Sequence, residues 1–146
     1  MKGYLLDTNL LIALLWPAHN HHGVAVQWFA THRNQGWATC PITQAGFIRV
    51  VSTPAFSRDS VRPREALQVL AANMASPDHL FWSEDIPVPN AISFAGLRLL
   101  GHQQVTDAYL LGLAIYRGGI LATLDRQIGN LVEPNSEHGK SLEILS

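Results

Sequence analysis

Three aspartates stand at the ends of apolar segments. Asp7 closes Tyr4-Leu5-Leu6-Asp7-Thr8-Asn9, Asp125 closes Ile120-Leu121-Ala122-Thr123-Leu124-Asp125, and Asp107 opens a helical pattern at Thr106-Asp107-Ala108-Tyr109. An apolar run that ends in an acid reads as a buried parallel strand delivering a carboxylate to the C-terminal edge of a sheet, where α/β folds keep their sites. Two such endings and a helix-opening acid can gather hard oxygen ligands around a divalent cation. With no Cys or His among them, those ligands favour Mg²⁺ or Mn²⁺. The chemistry such an ion serves best is phosphodiester hydrolysis, where it activates water and stabilises the leaving oxygen.

Each acid also has a plainer role open to it. Asp7 suits the N-cap of a helix beginning at Thr8 or Asn9. Thr106 suits an N-cap with Asp107 favourable in the first turn, and Asp125 suits a turn. The joint pattern favours convergence. If strands one and four flank the topological switch point, all three acids share one crevice. Like charges repel there by about 3 kcal/mol per pair at ~5 Å and an effective dielectric near 20, a cost tolerated where a cation or a shared proton offsets it.

Other acid-cluster chemistries fit less well. Phosphoryl-transfer sites built on aspartates in receiver domains and phosphatases use a lysine, and no lysine lies between Lys2 and Lys140. Asp7-Thr8-Asn9 also lacks the Asp-x-Asp of such phosphatases, and there is no Gly-rich phosphate loop. A small-molecule phosphohydrolase is therefore the weakest of the readings considered.

The elements that must position the acids follow from periodicity. Residues 3–7 read as strand one and Thr8 to Trp16 as a helix stopped by Pro17; residues 20–33 form a second helix and Trp37 to Cys40 strand two. Residues 42–52 are helical, 53–62 loop-like, and a helix with an apolar stripe of Ala66, Leu67, Leu70, Ala71 and Met74 starts at Pro63. Leu80 to Ser83 is strand three. Glu84 to Gly101 is irregular at Pro87 and Pro89, with helical spacing from Ala91 to Leu100. Gln103 to Tyr116 is a helix stopped by Gly118-Gly119, Ile120 to Leu124 strand four, and Leu142 to Leu145 strand five. The expected fold is a single three-layer α/β/α domain over residues 1–146, with a mostly parallel sheet of four to five strands.

Bulk properties agree. The 146 residues are 47% hydrophobic and 14% charged, with net charge −1, so no global basic field marks a nucleic-acid partner and any such contact is local. Cys40 is the single cysteine, which excludes an intramolecular disulfide and a thiolate metal site. The apolar run Leu10 to Trp16 is too short to span a bilayer. A soluble, cytoplasmic protein is expected.

Leu5-Leu6-Asp7-Thr8-Asn9-Leu10-Leu11-Ile12, Ala38-Thr39-Cys40-Pro41-Ile42-Thr43, Val105-Thr106-Asp107-Ala108-Tyr109-Leu110 and Leu121-Ala122-Thr123-Leu124-Asp125-Arg126 resemble, in order and over nearly the whole chain, the PIN-domain ribonucleases. The likeness is closest to the VapC-type toxins of toxin–antitoxin pairs. The resemblance implies a PIN fold, Mg²⁺- or Mn²⁺-dependent cleavage of RNA, a homodimer, and inhibition by a cognate VapB-like antitoxin. It carries Asp7, Asp107 and Asp125 onto metal-site acids, with Asn9 and Thr123 as supporting polar positions. It also implies a glutamate where this chain has Gln44, which keeps a glutamate's shape without its charge and cannot act as a base. Gln44, native or a detoxifying exchange, is thus expected in the fourth catalytic place, with weaker metal binding and reduced activity. The alternative is a non-catalytic PIN domain that binds RNA or protein.

Remaining candidates have plainer expectations. His19, His21 and His22 suit a loop and helix start, His102 a crevice mouth or solvent, Arg126 a phosphate contact or an ordinary surface, and Arg49 a pairing with an acid near the site or an ordinary surface. Trp28, Trp37 and Trp82 suit the core, and Trp16 an interaction surface.

Overall fold

The computed structural model describes residues 3–58 and 60–146; Met1, Lys2 and Asp59, the last within the loop expected over 53–62, lie outside the described residues. The strands are β1 (Tyr4–Leu6), β2 (Trp37–Thr39), β3 (His79–Phe81), β4 (Ile120–Thr123) and β5 (Leu142–Ile144). They form one sheet in the order β3-β2-β1-β4-β5, and every neighbouring pair is parallel. The helices are α1 (Thr8–Leu15), α2 (His22–His32), α3 (Pro41–Val51), α4 (Pro63–Met74), α5 (Val88–Ile92) and α6 (Val105–Arg117). The α/β/α expectation and the fifth strand both hold.

Alternation along β1 builds two cores. Leu6 and Tyr4 pack with Leu10, Trp37, Phe47 and Leu70 beneath α1 to α4. Leu5 turns the other way and joins Leu110, Leu113 and Leu121 under α5 and α6. Leu5, Leu6 and Leu121 are fully buried, each stabilising the fold by roughly 2 kcal/mol through lost apolar surface.

Chain order fixes the site. β2 and β3 add successively to one side of β1, and the chain then crosses through α5 and α6 to lay β4 on the other side. The reversal lies between β1 and β4, which are paired Tyr4 to Ile120, Leu5 to Leu121 and Leu6 to Ala122. The Asp7 amide donates to the Ala122 carbonyl at 3.0 Å, so Asp7 stands on the last rung of that ladder.

Two expectations about local structure need correction. Thr106 does not cap α6, because the helix is entered through a 3-10 turn at His102–Gln104 and begins at Val105. The entering chain is held by Gln104 Oε1, which accepts the Leu100 and Gly101 amides at 2.6 and 3.1 Å. The stretch 84–101 also divides differently. Pro87 and Pro89 fall at the start of α5, where a missing N–H loses nothing, and a 3-10 segment at Ser93–Arg98 breaks at Gly96 (φ 52°). α6 ends as expected, with Gly118 left-handed at φ 69°. Gly112 lets α5 lie on α6, since a Cβ there would come within 1.9 Å of the Ala91 carbonyl oxygen. Among the described residues, no helix is long and apolar enough to cross a membrane.

Candidate active site

β1 and β4 end side by side, and their terminal residues meet through Thr123. The buried Thr123 hydroxyl donates to Asp7 Oδ2 at 2.7 Å and accepts the Asp125 amide at 3.0 Å. The other Asp7 oxygen accepts the Thr8 amide at 2.8 Å, at the start of α1. Asp125 Oδ1 accepts the Gln127 amide at 2.9 Å and opens a 3-10 turn over Arg126–Leu131. The capping and turn roles open to Asp7 and Asp125 are therefore real. They leave both residues at the crevice and fix their carboxylates from behind. Asp107 lies in the first turn of α6, the helix that leads into β4.

The electrostatics join the three. Asp107 is pushed up to about 6 by burial first, then by the negative charges of Asp7 and Asp125. Asp7, only 5% exposed, is also raised by burial; hydrogen bonds from Thr123 and Thr8 oppose this, and Asp125 adds to it. No lysine or arginine stands among the causes for either group. Among the described residues, no three His, Cys, Asp or Glu side chains stand close enough to enclose an ion by themselves. The donor set is nonetheless all carboxylate oxygen, with the charges of Asp7 and Asp125 both raising Asp107. Such a set suits a hard divalent cation that keeps part of its own water shell.

Gln44 is tied to the end of β2, the strand beside β1. Its Nε2 donates to Thr39 Oγ1 at 2.9 Å, and Thr39 Oγ1 in turn lies 2.8 Å from His79 Nε2. Gln44 also lines a hollow of about 580 Å³ between α3 and α4, walled by Ile48, Leu70 and Met74. Neither Asp7 nor Asp107 has Gln44 among the causes of its shift. The α3 position that abuts the end of β1 is Gly46, where a Cβ would stand 2.9 Å from the Thr8 side chain. Residues two apart on a helix point about 200° apart, so Gln44 leaves α3 in a different direction from Gly46.

Most other candidates follow the plainer reading. His22 Nδ1 meets the Ala13 carbonyl and His19 Nδ1 accepts the His21 amide, which makes the histidine patch a loop and helix start. Asn9, Arg49, His102 and Arg126 are exposed. Trp28, Trp37 and Trp82 are core, and Trp16 meets Phe56 edge-on at 5.2 Å. One acid escaped notice. Glu84 follows β3 much as Asp7 follows β1, but Ser83 and the nearby prolines blurred the signal. Its Oε2 accepts the Ile42 amide at 2.8 Å, at the start of α3.

Comparisons with known proteins agree with this geometry. The PIN domain family matches residues 4–133. Ribonuclease VapC39 of Mycobacterium tuberculosis is 41% identical over 128 residues, covering 86% of this chain and 91% of that protein. Ribonuclease VapC38 of the same species is 39% identical over 130 residues (88% and 89%), and Ribonuclease VapC29 is 40% identical over 130 residues (87% and 89%). With the matching family spanning all three acids and these relatives covering most of its length, the chain belongs to the PIN-domain family, among the VapC proteins.

Proposed function

We propose that this protein is a VapC-type toxin, an endoribonuclease that hydrolyses RNA phosphodiester bonds with a divalent metal ion, Mg²⁺ or Mn²⁺. The observation that carries the reading is the Thr123 hydroxyl that links Asp7 to Asp125 at the β1–β4 switch point, with the charges of both acting on Asp107. The relatives named as ribonucleases supply the substrate class.

Asp7, Asp107 and Asp125 would hold the metal, which when bound supplies Lewis acidity to activate water and to stabilise the leaving oxygen. The protein's own part is positioning. Thr123 fixes Asp7 through its hydroxyl and Asp125 through the latter's amide, so the ends of β1 and β4 move as one. The Thr8 amide holds the second Asp7 oxygen. Asp107, on the first turn of α6, has its carboxyl pushed up to about 6 by burial and by the charges of Asp7 and Asp125. Between its substrates it can hold a proton that cation binding would displace.

The non-catalytic alternative leaned on Gln44 as a broken member of the cluster, and it loses that support because Gln44 hydrogen-bonds to β2 instead. The reading includes a cognate VapB-like antitoxin, a homodimer and a cytoplasmic location as its expected setting. The test is cleavage of single-stranded RNA with added Mg²⁺ or Mn²⁺. Cleavage should vanish with chelator and in Asp7→Asn, and activity that survives either change would sink the assignment.

A further inference from the structure

Beside the three acids, on the β2–β3 side of the same sheet edge, lies a second hollow of about 400 Å³. Its walls come from Ile42 at the start of α3, Ile86 and Val88 after β3, and Val105, Thr106 and Tyr109 of α6. Thr106 directly precedes Asp107, so their Cα atoms are about 3.8 Å apart and the first turn of α6 supplies both a wall of the hollow and one of the three acids. Tyr109 is 5% exposed and donates its hydroxyl to the Ile86 carbonyl at 3.0 Å, which makes a stiff floor. Val88 and Val105 are exposed at the rim although both are apolar.

Glu84 is the one charged group in that wall. Its Oε2 accepts the Ile42 amide at 2.8 Å. A carboxylate offers about four lone-pair sites, so acceptor positions remain for a ligand. The hollow's volume is at the lower end of small-ligand pockets, roughly 300–1,000 Å³, and suits a flat group the size of one base. A phosphate is excluded by the Glu84 charge and the apolar walls. The nearby Arg117 is no help to it, since that side chain is taken up by Asp85 at 3.0 Å and by Ser83.

We propose that this hollow is a nucleobase subsite and that Glu84 selects guanine next to the scissile phosphate. An RNA strand laid along the sheet edge would place a phosphate at the β1–β4 acids and a neighbouring base over β2 and β3. Single-stranded RNA is read on unstacked bases through their Watson–Crick edges. Guanine presents two adjacent N–H donors there, N1–H and the 2-amino group, which pair with one carboxylate. Cytosine and adenine offer one amino donor beside an acceptor, and uracil one N–H between two carbonyls that Glu84 repels. Glu84 is thus a specificity-determining residue; the inference rests on the ribonuclease reading for its substrate class.

The test separates the two. Fluorescence anisotropy in chelator, which prevents cleavage, would compare a labelled uridine hexamer carrying one guanosine with the same hexamer carrying inosine, which lacks the 2-amino group. The wild-type chain should bind the guanosine RNA about tenfold more tightly, the usual scale for one specific base contact. Glu84→Gln, whose amide oxygen still accepts the Ile42 amide, should bind the two RNAs alike. Equal binding of both RNAs by the wild-type chain overturns the subsite, and so does discrimination that survives Glu84→Gln. Discrimination without metal-dependent cleavage of any RNA keeps the subsite and retires the ribonuclease reading. Cleavage without discrimination does the reverse.

Discussion

Asp78 and the aspartates of the crevice occupy opposite edges of one sheet and have opposite surroundings. Asp78 precedes β3 at the N-terminal edge. It receives Arg33 Nε at 2.7 Å, a second Arg33 nitrogen at 3.3 Å, the Ser76 hydroxyl and Trp37 Nε1 at 3.1 Å. Those partners hold its carboxyl well below the usual carboxylate range. At the C-terminal edge, Asp7 and Asp125 receive neutral donors, namely two backbone amides and the Thr123 hydroxyl. Burial and mutual repulsion push Asp7 and Asp107 the other way. The same chain that pairs one carboxylate with an arginine leaves Asp7 and Asp107 shifted upward by burial and by neighbouring carboxylates. That difference fits Asp78 to the architecture and supports the proposed role of the crevice acids.

The largest expected effect would come from exchanging those roles. Asp107→Asn removes a proposed metal ligand while relieving repulsion. RNA cleavage should fall on the order of a hundredfold or more, since an ion at such a site supplies several kcal/mol of transition-state stabilisation. The metal-free protein should melt no lower than wild type at pH 7. A variant that loses activity and unfolds together would place Asp107 with Asp78 and break the contrast.

Asp78→Ala is the converse. It strips the partner from the indole N–H of Trp37, a residue only 2% exposed. Leaving a buried donor unpaired costs about 1–3 kcal/mol. Thermal or denaturant unfolding should show that loss, while cleavage per folded molecule stays near wild type at temperatures where the variant is folded. A large fall in specific activity would show that the N-terminal edge reaches the chemistry.

pH sharpens the comparison at a smaller scale. Asp107 is raised from an ordinary 3.8 to about 6, so between those values the folded chain binds the extra proton. Stability therefore falls as pH rises from about 4 to about 6, and the loss is complete above that. Full burial would make this ~3 kcal/mol, and screening at a partly exposed carboxyl leaves on the order of 1–2 kcal/mol. Asp78 has the opposite sign: its lowered value contributes stability above about pH 4 that is lost on further acidification. Melting of the metal-free protein across pH 4–7 should show the Asp107 decline, flattened in Asp107→Asn and offset by added Mg²⁺. A wild-type profile that rises through this window would count against an unbalanced crevice.

The crevice was legible because its signals are local. An apolar run ending in an acid places that acid at a strand end, and two such runs become neighbours once β1 and β4 pair. What stayed hidden depends on rotation and on entry geometry. Gln44 and Gly46 differ by two residues on α3, and only the packing of α3 on α1 shows that Gly46 faces Thr8. Thr106 reads as a cap, yet the chain arrives through a 3-10 turn held by Gln104, so the helix has already begun. Glu84 carries the signal that found Asp7, weakened by the two residues, Trp82 and Ser83, between it and its strand.

The smallest expected effect concerns Gln44, which belongs to neither edge's carboxylates. Its amide donates to Thr39 Oγ1, which leaves the single Thr39 hydroxyl proton for His79 Nε2. His79 is half-buried, and burial lowers its ionisation, in keeping with a neutral ring that accepts there. Gln44→Glu reverses this chain. The new carboxylate can only accept, so it claims the Thr39 hydroxyl proton, and His79 Nε2 must then donate. Histidine titration followed by NMR should show His79 shifted upward toward the protonated form. Cleavage should stay within about twofold of wild type, the scale of a substitution outside the reacting groups. A gain of tenfold or more would instead put Gln44 among the metal-site residues and make α3 turn in solution toward the acids. The contrast between a neutralised edge and a charged one would then need a fourth member on the charged side.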